Sequence, residues 1–131
     1  MANVAETTLR EIPQSPAAEA ALLGSMMLDE TCVDDVMEIL SAEDFYRDEH
    51  RLIFEAIQTA RRKAPGHVNG VIVRQKLEDT GQMEAIGGLE YLRRVIESVP
   101  GPSAWASYAQ TVREKSARRK VIAEAGKMLN M

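Results

Sequence analysis

The sequence predicts an all-α fold, in which a compact bundle of about five to six helices is followed by one long C-terminal helix. Two observations support this prediction. The composition is rich in Ala, Leu, Met, Glu and Arg and only 5% aromatic, which favours helix over strand. Apolar residues also recur at intervals of three and four between residues typical of helix caps and breaks. With 131 residues, the chain is long enough for one domain with a single core.

The first two helices are delimited by capping signals. Ser15 and Pro16 suit the N-cap and the first position of a helix that ends near Asp29. A second helix is predicted over residues 31–40. The apolar stripes of these two helices consist of Leu22, Leu23, Met26 and Met27 and of Val33, Val36, Met37 and Leu40.

The third helix begins within the stretch DFYRDEHRLIFEAI, residues 44–57. Ser41 and Asp44 have the pattern of a capping box around one short turn, and the helix itself is predicted from Asp48 to Lys63. Acidic residues in its first turn and basic residues in its last turn complement the helix dipole. Its apolar stripe consists of Ile53, Phe54, Ala56, Ile57 and Ala60.

The same stretch raises the question of a metal or acid–base site. Asp48, Glu49 and His50 are consecutive, and consecutive helical residues point about 100° apart, so these side chains cannot converge on one ion. The positions four residues before and after His50 are Tyr46 and Phe54, which are not the second ligand that a zinc-type pair requires. We therefore interpret the stretch as a helix start and predict no catalytic, cofactor-binding or metal-ligating residue. Whether His50 forms a hydrogen bond to a neighbouring helix stays open.

A fourth helix is predicted after Asn69, which suits its N-cap, and ends at Thr80-Gly81. Val73 and Leu77 would face the core. The β-branched run 71–73 leaves a strand possible here, but the residues that follow include few β formers, so we predict a helix.

A fifth helix is predicted to follow Gly87-Gly88. Two glycines before a helix can offer N–H groups to a phosphate, but no strand precedes them and no basic side chain adjoins them, so a tight turn with positive φ is the better interpretation. The pattern G-x-x-x-x-G-K-[ST] is absent from the sequence, and we do not expect ATP hydrolysis by this chain. The inward residues of the fifth helix would be Leu89, Leu92, Val95 and Ile96.

The last helix is predicted to be long and to lack a partner at its far end. After the break at residues 99–103, nothing stops a helix from Ala104 to Met131, a length of roughly 40 Å at about 1.5 Å per residue. Its apolar pattern resumes near the end of the chain, beyond the reach of five earlier helices. Such a surface needs a returning helix or another subunit, and we expect the chain to be part of a longer protein.

Charge is distributed unevenly along the chain. Residues 111–131 carry six basic and two acidic residues, a net charge of +4, so the rest of the chain carries −8 within a total of −4. We interpret the basic stretch REKSARRK, residues 113–120, as a solvated helix surface. The alternatives are contact with an acidic partner, such as the body of another copy, and a small helical DNA-binding regulator. The negative total charge disfavours DNA binding.

The sequence also bears on compartment. Its one cysteine, Cys32, excludes an internal disulfide and has no basic neighbour in sequence, so we predict an inert, partly buried thiol. The first residues contain no apolar segment of a signal peptide, and no run approaches 18 apolar residues, about the length a membrane helix needs. A cytoplasmic location without membrane contact is expected.

Three sequence blocks together are similar to a known family. They are E-A-x-x-L-G-S/G-x-x-L-D at Glu19 to Asp29, F-Y-x-x-x-H-R at Phe45 to Arg51, and G-Q-x-x-x-x-G-G-x-x-Y-L at Gly81 to Leu92. In this order and spacing, from about Ile12 to Ala125, they resemble the N-terminal domain of DnaB-type bacterial replicative DNA helicases. The chain departs from that pattern at Asn69-Gly70, where an acidic N-cap and a leucine are usual, and at Ile72, where a threonine is common.

The resemblance implies a domain organisation. Residues 13–103 would be a helical globule with Phe45 and Tyr46 in its core, and residues 104–131 the truncated first arm of a dimerisation hairpin. Residues 1–12, which are polar and without a period, are predicted from their composition to be a disordered tail. The RecA-like ATPase domain of the family, with its ATP and magnesium, is absent from this chain, and so are catalytic residues.

The resemblance also implies partners. Family domains pair through their hairpins and form a trimer of dimers on a hexameric ring. They dock a DnaG-type primase and influence helicase loading, whereas DNA is contacted by the full-length helicase. The protein-interface residues that we predict are Tyr108, Val112, Arg113, Arg118, Val121, Ile122, Ala125, Met128 and Leu129.

Overall fold

The computed structural model describes residues 12–129, and this part of the chain contains six α-helices, three 3₁₀ turns and no strand. The all-α prediction is confirmed. The helices are α1 (Pro16–Leu28), α2 (Val33–Ile39), α3 (Asp48–Lys63), α4 (Gly70–Asp79), α5 (Gly88–Glu97) and α6 (Trp105–Leu129). The 3₁₀ turns Glu30–Cys32, Ala42–Asp44 and Pro102–Ala104 precede α2, α3 and α6. The predicted disordered tail lies, except for Ile12, outside the described residues.

Most helix boundaries agree with the capping signals. The side chain of Ser15 accepts a hydrogen bond from the N–H of Ala18, and that of Asn69 accepts one from the N–H of Ile72, as N-caps do. The predicted second helix begins instead as a 3₁₀ turn, because the Asp29 side chain binds the Thr31 N–H and tightens the chain there. Gly87 has the predicted positive φ, 103°.

Helix α1 forms the centre of the fold and packs against α3, α5 and α6. Its residues are buried almost all round, as expected for a helix with core on every side. Gly24 allows the close approach of α5, because a Cβ at that position would lie 2.3 Å from Val99 Cγ2 and 2.5 Å from the Val95 carbonyl oxygen. The core also contains Phe45 and Phe54, whose ring centroids are 4.9 Å apart, whereas Tyr46 is half-buried.

Helix α4 buries Val73 and Leu77, as predicted, whereas α5 differs from the prediction at one residue. The run 71–73 is helical, so its first member, Val71, is 74% exposed while Val73 is buried. Leu89, which we predicted to face the core, is 46% exposed, because it lies in the first turn of α5 on the side turned to α4 rather than to α1. Leu92 and Val95 are buried as predicted.

Helix α6 is attached to the body along its first half. Ala109, Val112 and Ser116 are buried at intervals of three and four residues. From residue 121 to residue 129, every residue except the half-buried Gly126 is exposed. Within residues 12–129, no helix is both long and apolar enough to span a membrane.

Candidate functional site

Three helices are joined by a polar cluster inside the core, formed by Glu19 of α1, His50 of α3 and Tyr91 of α5. His50 Nδ1 lies 2.7 Å from Glu19 Oε1, and His50 Nε2 lies 2.5 Å from Tyr91 Oη. Both ring nitrogens of His50 are thus engaged by protein groups, and the ring is fully buried. Burial, followed by the charge of Glu49, raises the pKa of Tyr91 above its ordinary value of 10.0.

Glu19 also binds the start of α3. Its carboxylate accepts hydrogen bonds from the backbone N–H groups of Tyr46, at 2.8 Å, and Arg47, at 3.4 Å. These N–H groups precede the helix and would otherwise be unsatisfied in a partly buried place. Asp48 and Glu49 point elsewhere, toward Arg51 and Arg47 respectively, as the 100° offset between consecutive residues predicts. The stretch that begins α3 is therefore hydrogen-bonded to α1 through Glu19 and has a structural role.

A second polar cluster fixes α6 to the body, and we call it the Asp44 cluster: Asp44, Ser116, Arg119 and Lys120. Asp44 Oδ1 accepts hydrogen bonds from Ser116 Oγ at 2.6 Å and from Lys120 Nζ at 3.3 Å, and Oδ2 accepts one from the Ser41 N–H at 2.8 Å. Burial alone would raise the pKa of Asp44, but these hydrogen bonds from Ser116, Ser41 and Lys120 outweigh it and lower the pKa below 3.8.

Arg119 extends the same attachment to the N-terminal segment. Its guanidinium donates to the carbonyl oxygen of Asp44 at 2.6 Å and to that of Pro13 at 2.8 Å, and it lies 5.4 Å from the centroid of the Tyr46 ring. From the sequence, the basic stretch 113–120 was interpreted as a solvated helix surface. The structure shows that it is not solvated along its whole length. Part of its charge binds the body of its own chain.

The exposed end of α6 carries an apolar stripe. We call residues 121–129 the α6 tip. Its large apolar side chains are Val121, Ile122, Met128 and Leu129, which are 68%, 44%, 72% and 87% exposed. With the exposed Ala125, they recur at spacings of three and four residues and therefore share one side of the helix. No residue in the described part of the chain covers this side.

The predicted interface residues fall into three groups. Val112 is 1% exposed and packs in the core of this chain, so it has no surface to offer a partner. Tyr108 is half-buried against the same core, while Arg113 and Arg118 are exposed. The remaining five, Val121, Ile122, Ala125, Met128 and Leu129, all lie in the α6 tip.

Side chains that could bind a metal ion or act as a nucleophile include those of the His, Asp and Glu residues and of Cys32. Among residues 12–129, no three His, Cys, Asp or Glu side chains come together in a way that could hold a metal ion. Cys32 is buried, and this burial, together with the charge of Asp29, raises the pKa of its thiol to about 11. Both effects disfavour the thiolate, which is the reactive form of cysteine.

Sequence reasoning missed the polar residues of the core. Neither Glu19 nor Tyr91 was given a role of its own, although each lies in one of the three blocks that resemble the DnaB family. His50 lies in the block between them. The blocks were the available signal, because each contributes one member of the cluster.

Comparison with known proteins agrees with the fold. The family model of the DnaB-like helicase N-terminal domain matches residues 11–114. The replicative DNA helicase DnaB of Geobacillus stearothermophilus is 41% identical over 114 residues, which are 86% of this chain and 25% of the helicase. That of Mycobacterium leprae (strain TN) is 37% identical over 118 residues, 89% of this chain and 19% of the helicase. The chain thus spans about a quarter or less of these relatives.

Solved structures are similar along most of the chain. The N-terminal domain of DnaB helicase from Mycobacterium tuberculosis superposes with a TM-score of 0.87 at 32% identity, over 92% of this chain and 86% of that one. The corresponding domain from Helicobacter pylori, described together with its interactions with primase, gives a TM-score of 0.74 at 19% identity, over 95% and 94%. The second likeness concerns the fold alone. The chain belongs to the family of DnaB-like helicase N-terminal domains.

Proposed function

We propose that the chain is the non-catalytic N-terminal assembly and docking domain of a hexameric replicative DNA helicase. The observation that carries this proposal is the α6 tip, an apolar stripe on a helix whose first half is attached to the body by the Asp44 cluster. A helix attached to the body along its first half, with an exposed apolar stripe beyond it, is suited to assembly. ATP and magnesium would be bound, and DNA unwound, by the remaining part of the helicase.

The α6 tip is proposed to pair with a second copy of the domain. Burying a large apolar side chain contributes about 1.5–3 kcal/mol, so Val121, Ile122, Met128 and Leu129 are a strong source of binding energy. Residues 104–131 would then be the first arm of a hairpin, and dimers formed through it would assemble into the trimer of dimers of the hexamer.

Docking of a DnaG-type primase and of a helicase loader is proposed for the same domain. The support is the relationship to DnaB proteins and the Helicobacter pylori domain, whose structure is described with its primase interactions. The exposed residues Arg113 and Arg118 precede the tip on α6 and are available to a partner. A cytoplasmic location follows from this assignment.

The alternative of a DNA-binding regulator loses support from the structure. Arg119 and Lys120 are engaged with Asp44, and Ser116 is buried, so three of the eight residues of the stretch 113–120, including two of its five basic residues, contact the body. The negative total charge of the chain also opposes attraction to phosphates.

Sedimentation of matched variants tests the proposal. Ile122→Glu places a charge on the apolar stripe, whereas Ala123→Glu places the same charge at an exposed position on the opposite face of α6. We expect the unmodified chain and Ala123→Glu to dimerise and to bind the C-terminal domain of a cognate primase, and Ile122→Glu to lose most of both. Equal dimerisation and equal primase binding of all three proteins would contradict the proposal.

A further inference from the structure

A groove between α4 and α5 lies outside the surfaces described above. It has a volume of about 400 Å³ and an apolar lining that includes Val71, Leu89 and Ile96. It is open because residue 70 is glycine: a Cβ there would lie 2.8 Å from Ile96 Cδ1, so any side chain at this position would enter the groove. We call it the α4–α5 groove.

The charged residues that line the groove are both arginines, Arg74 and Arg93, and their side chains are about half exposed. Arg74 forms an ion pair with Glu78, and Arg93 forms ion pairs with Glu90 and Glu97, each within its own helix. Exposed pairs of this kind contribute little to stability, so the arginines are free to exchange these partners for the carboxylates of another molecule.

A surface of opposite character lies on α2. Asp35, Glu38 and Ile39 occupy one face of this helix, at i, i+3 and i+4, and all three are exposed. Within residues 12–129, neither Asp35 nor Glu38 forms an ion pair. We call this face the acidic ridge. It lies on a helix that packs against α6 and the preceding turn, whereas α4 packs against α3 and α5.

We propose that the acidic ridge of one copy of this chain docks into the α4–α5 groove of another. Ile39 would enter the apolar groove, and Asp35 and Glu38 would meet Arg74 and Arg93. Both the apolar and the charged parts of the two surfaces are complementary, which is why a second copy is the occupant that fits. The contact is heterologous, because it joins two different surfaces.

This contact goes beyond the proposed function and is independent of it. The α6 tip would pair through apolar side chains, whereas the ridge and the groove combine a small apolar contact with ion pairs. The contact is therefore weak in isolation and sensitive to salt. On its own it forms at high protein concentration and low salt, and another interface that already holds copies together would strengthen it, since a tethered contact forms at a high effective concentration.

A charge-exchange experiment tests the proposal, with Ile122→Glu present in every protein so that the α6 tip is impaired throughout. The parent protein carries this substitution alone. A groove variant adds Arg74→Glu and Arg93→Glu, and a ridge variant adds Asp35→Arg and Glu38→Arg. All four positions are exposed, and circular dichroism verifies the fold. Sedimentation velocity is measured at low salt over a concentration series.

We expect the parent to self-associate with increasing concentration, and each variant alone to associate at least about tenfold more weakly. An equimolar mixture should recover association, because the unmodified ridge of the groove variant meets the unmodified groove of the ridge variant. Gly70→Leu, which fills the groove, should weaken association of the parent without any change in charge.

Three outcomes would overturn the proposal. One is a parent that stays monomeric at every concentration, which would mean that the α4–α5 groove does not bind a second copy of this chain. Another is association of the two charge variants equal to that of the parent. The last is a mixture that associates no better than the separate variants. Dimerisation of the unmodified chain, which lacks Ile122→Glu, is measured in a separate experiment and tests the proposed function.

Discussion

Glu19, His50 and Tyr91 join α1, α3 and α5 by hydrogen bonds made inside the core. A buried carboxylate is costly unless its oxygens are satisfied, and Glu19 meets this condition with the His50 ring and the N–H groups of Tyr46 and Arg47. The cluster therefore fixes how three helices are arranged, rather than preparing a reaction.

Glu19→Ala should lower the free energy of unfolding by about 3 kcal/mol, because it leaves His50 and two N–H groups without their acceptor. Urea denaturation followed by circular dichroism measures the change. Glu43→Ala, at an exposed position, is the control and should change stability by less than about 0.5 kcal/mol. A loss of stability at Glu19 no larger than this control would show that the cluster is dispensable.

Asp44 should make the stability of the fold depend on pH. Its pKa is lowered on folding, so its contribution is present above the ordinary value of 3.8 and is lost as pH falls through the lower folded pKa. Asp44→Asn removes this contribution. The difference in unfolding free energy between the unmodified chain and Asp44→Asn should therefore be largest near neutral pH and shrink below about pH 4.

Denaturant titrations of both proteins across this pH range measure the difference. Because both proteins retain every other carboxylate, the comparison isolates Asp44. A difference that stays constant down to about pH 2 would contradict the assigned hydrogen bonds of its carboxylate.

The residue scale is also where sequence reasoning was least complete. It could be predicted that the side chains of Asp48 and Glu49 point away from that of His50, because consecutive residues of a helix are offset by about 100°. The real partners of His50 could not be predicted, since Glu19 and Tyr91 are 31 and 41 positions away and proximity across that distance depends on how helices pack.

At the scale of elements, the packing of α1 against α5 depends on Gly24. Alanine favours helix over glycine by about 1 kcal/mol, so an unhindered helical glycine gains stability on replacement. At residue 24 the new Cβ would meet the Val95 carbonyl oxygen, which belongs to the backbone of α5 and cannot rotate away.

Gly24→Ala should therefore destabilise the fold by about 2 kcal/mol in spite of its better helix propensity. Gly126→Ala is the matched control, because a Cβ at residue 126 meets no atom within 4 Å, and it should be neutral or stabilising. Thermal unfolding compares the two. Equal effects would mean that α1 and α5 do not approach as closely as described.

Helix boundaries were largely predictable because caps act locally. Ser15, Asn69 and the capping box of Ser41 and Asp44 all function within four residues of the chain. The exposure of Leu89 was not predictable, since a period of 3.6 residues identifies an apolar face but not whether a neighbouring helix covers all of it.

At the scale of the whole molecule, charge and apolar surface are separated along the chain. The helical body is acidic and α6 is basic, and the Asp44 cluster uses part of this asymmetry to hold the helix at a fixed direction. The α6 tip then presents its apolar stripe away from the body. The unpartnered end was predictable from the sequence, because nothing earlier in the chain is long enough to reach it, whereas the attachment at Asp44 was not.

The most direct test of the central claim, that the α6 tip pairs with a second copy, is disulfide cross-linking between tips. Val121→Cys, Ala125→Cys and Met128→Cys place a thiol on the stripe, and Ala123→Cys places one on the opposite face. Cys32 does not compete, because it is buried and its pKa is raised to about 11. Under mild oxidation, we predict rapid cross-linking of at least one stripe variant and slow cross-linking of Ala123→Cys. Equal, slow rates for all four variants would contradict the account.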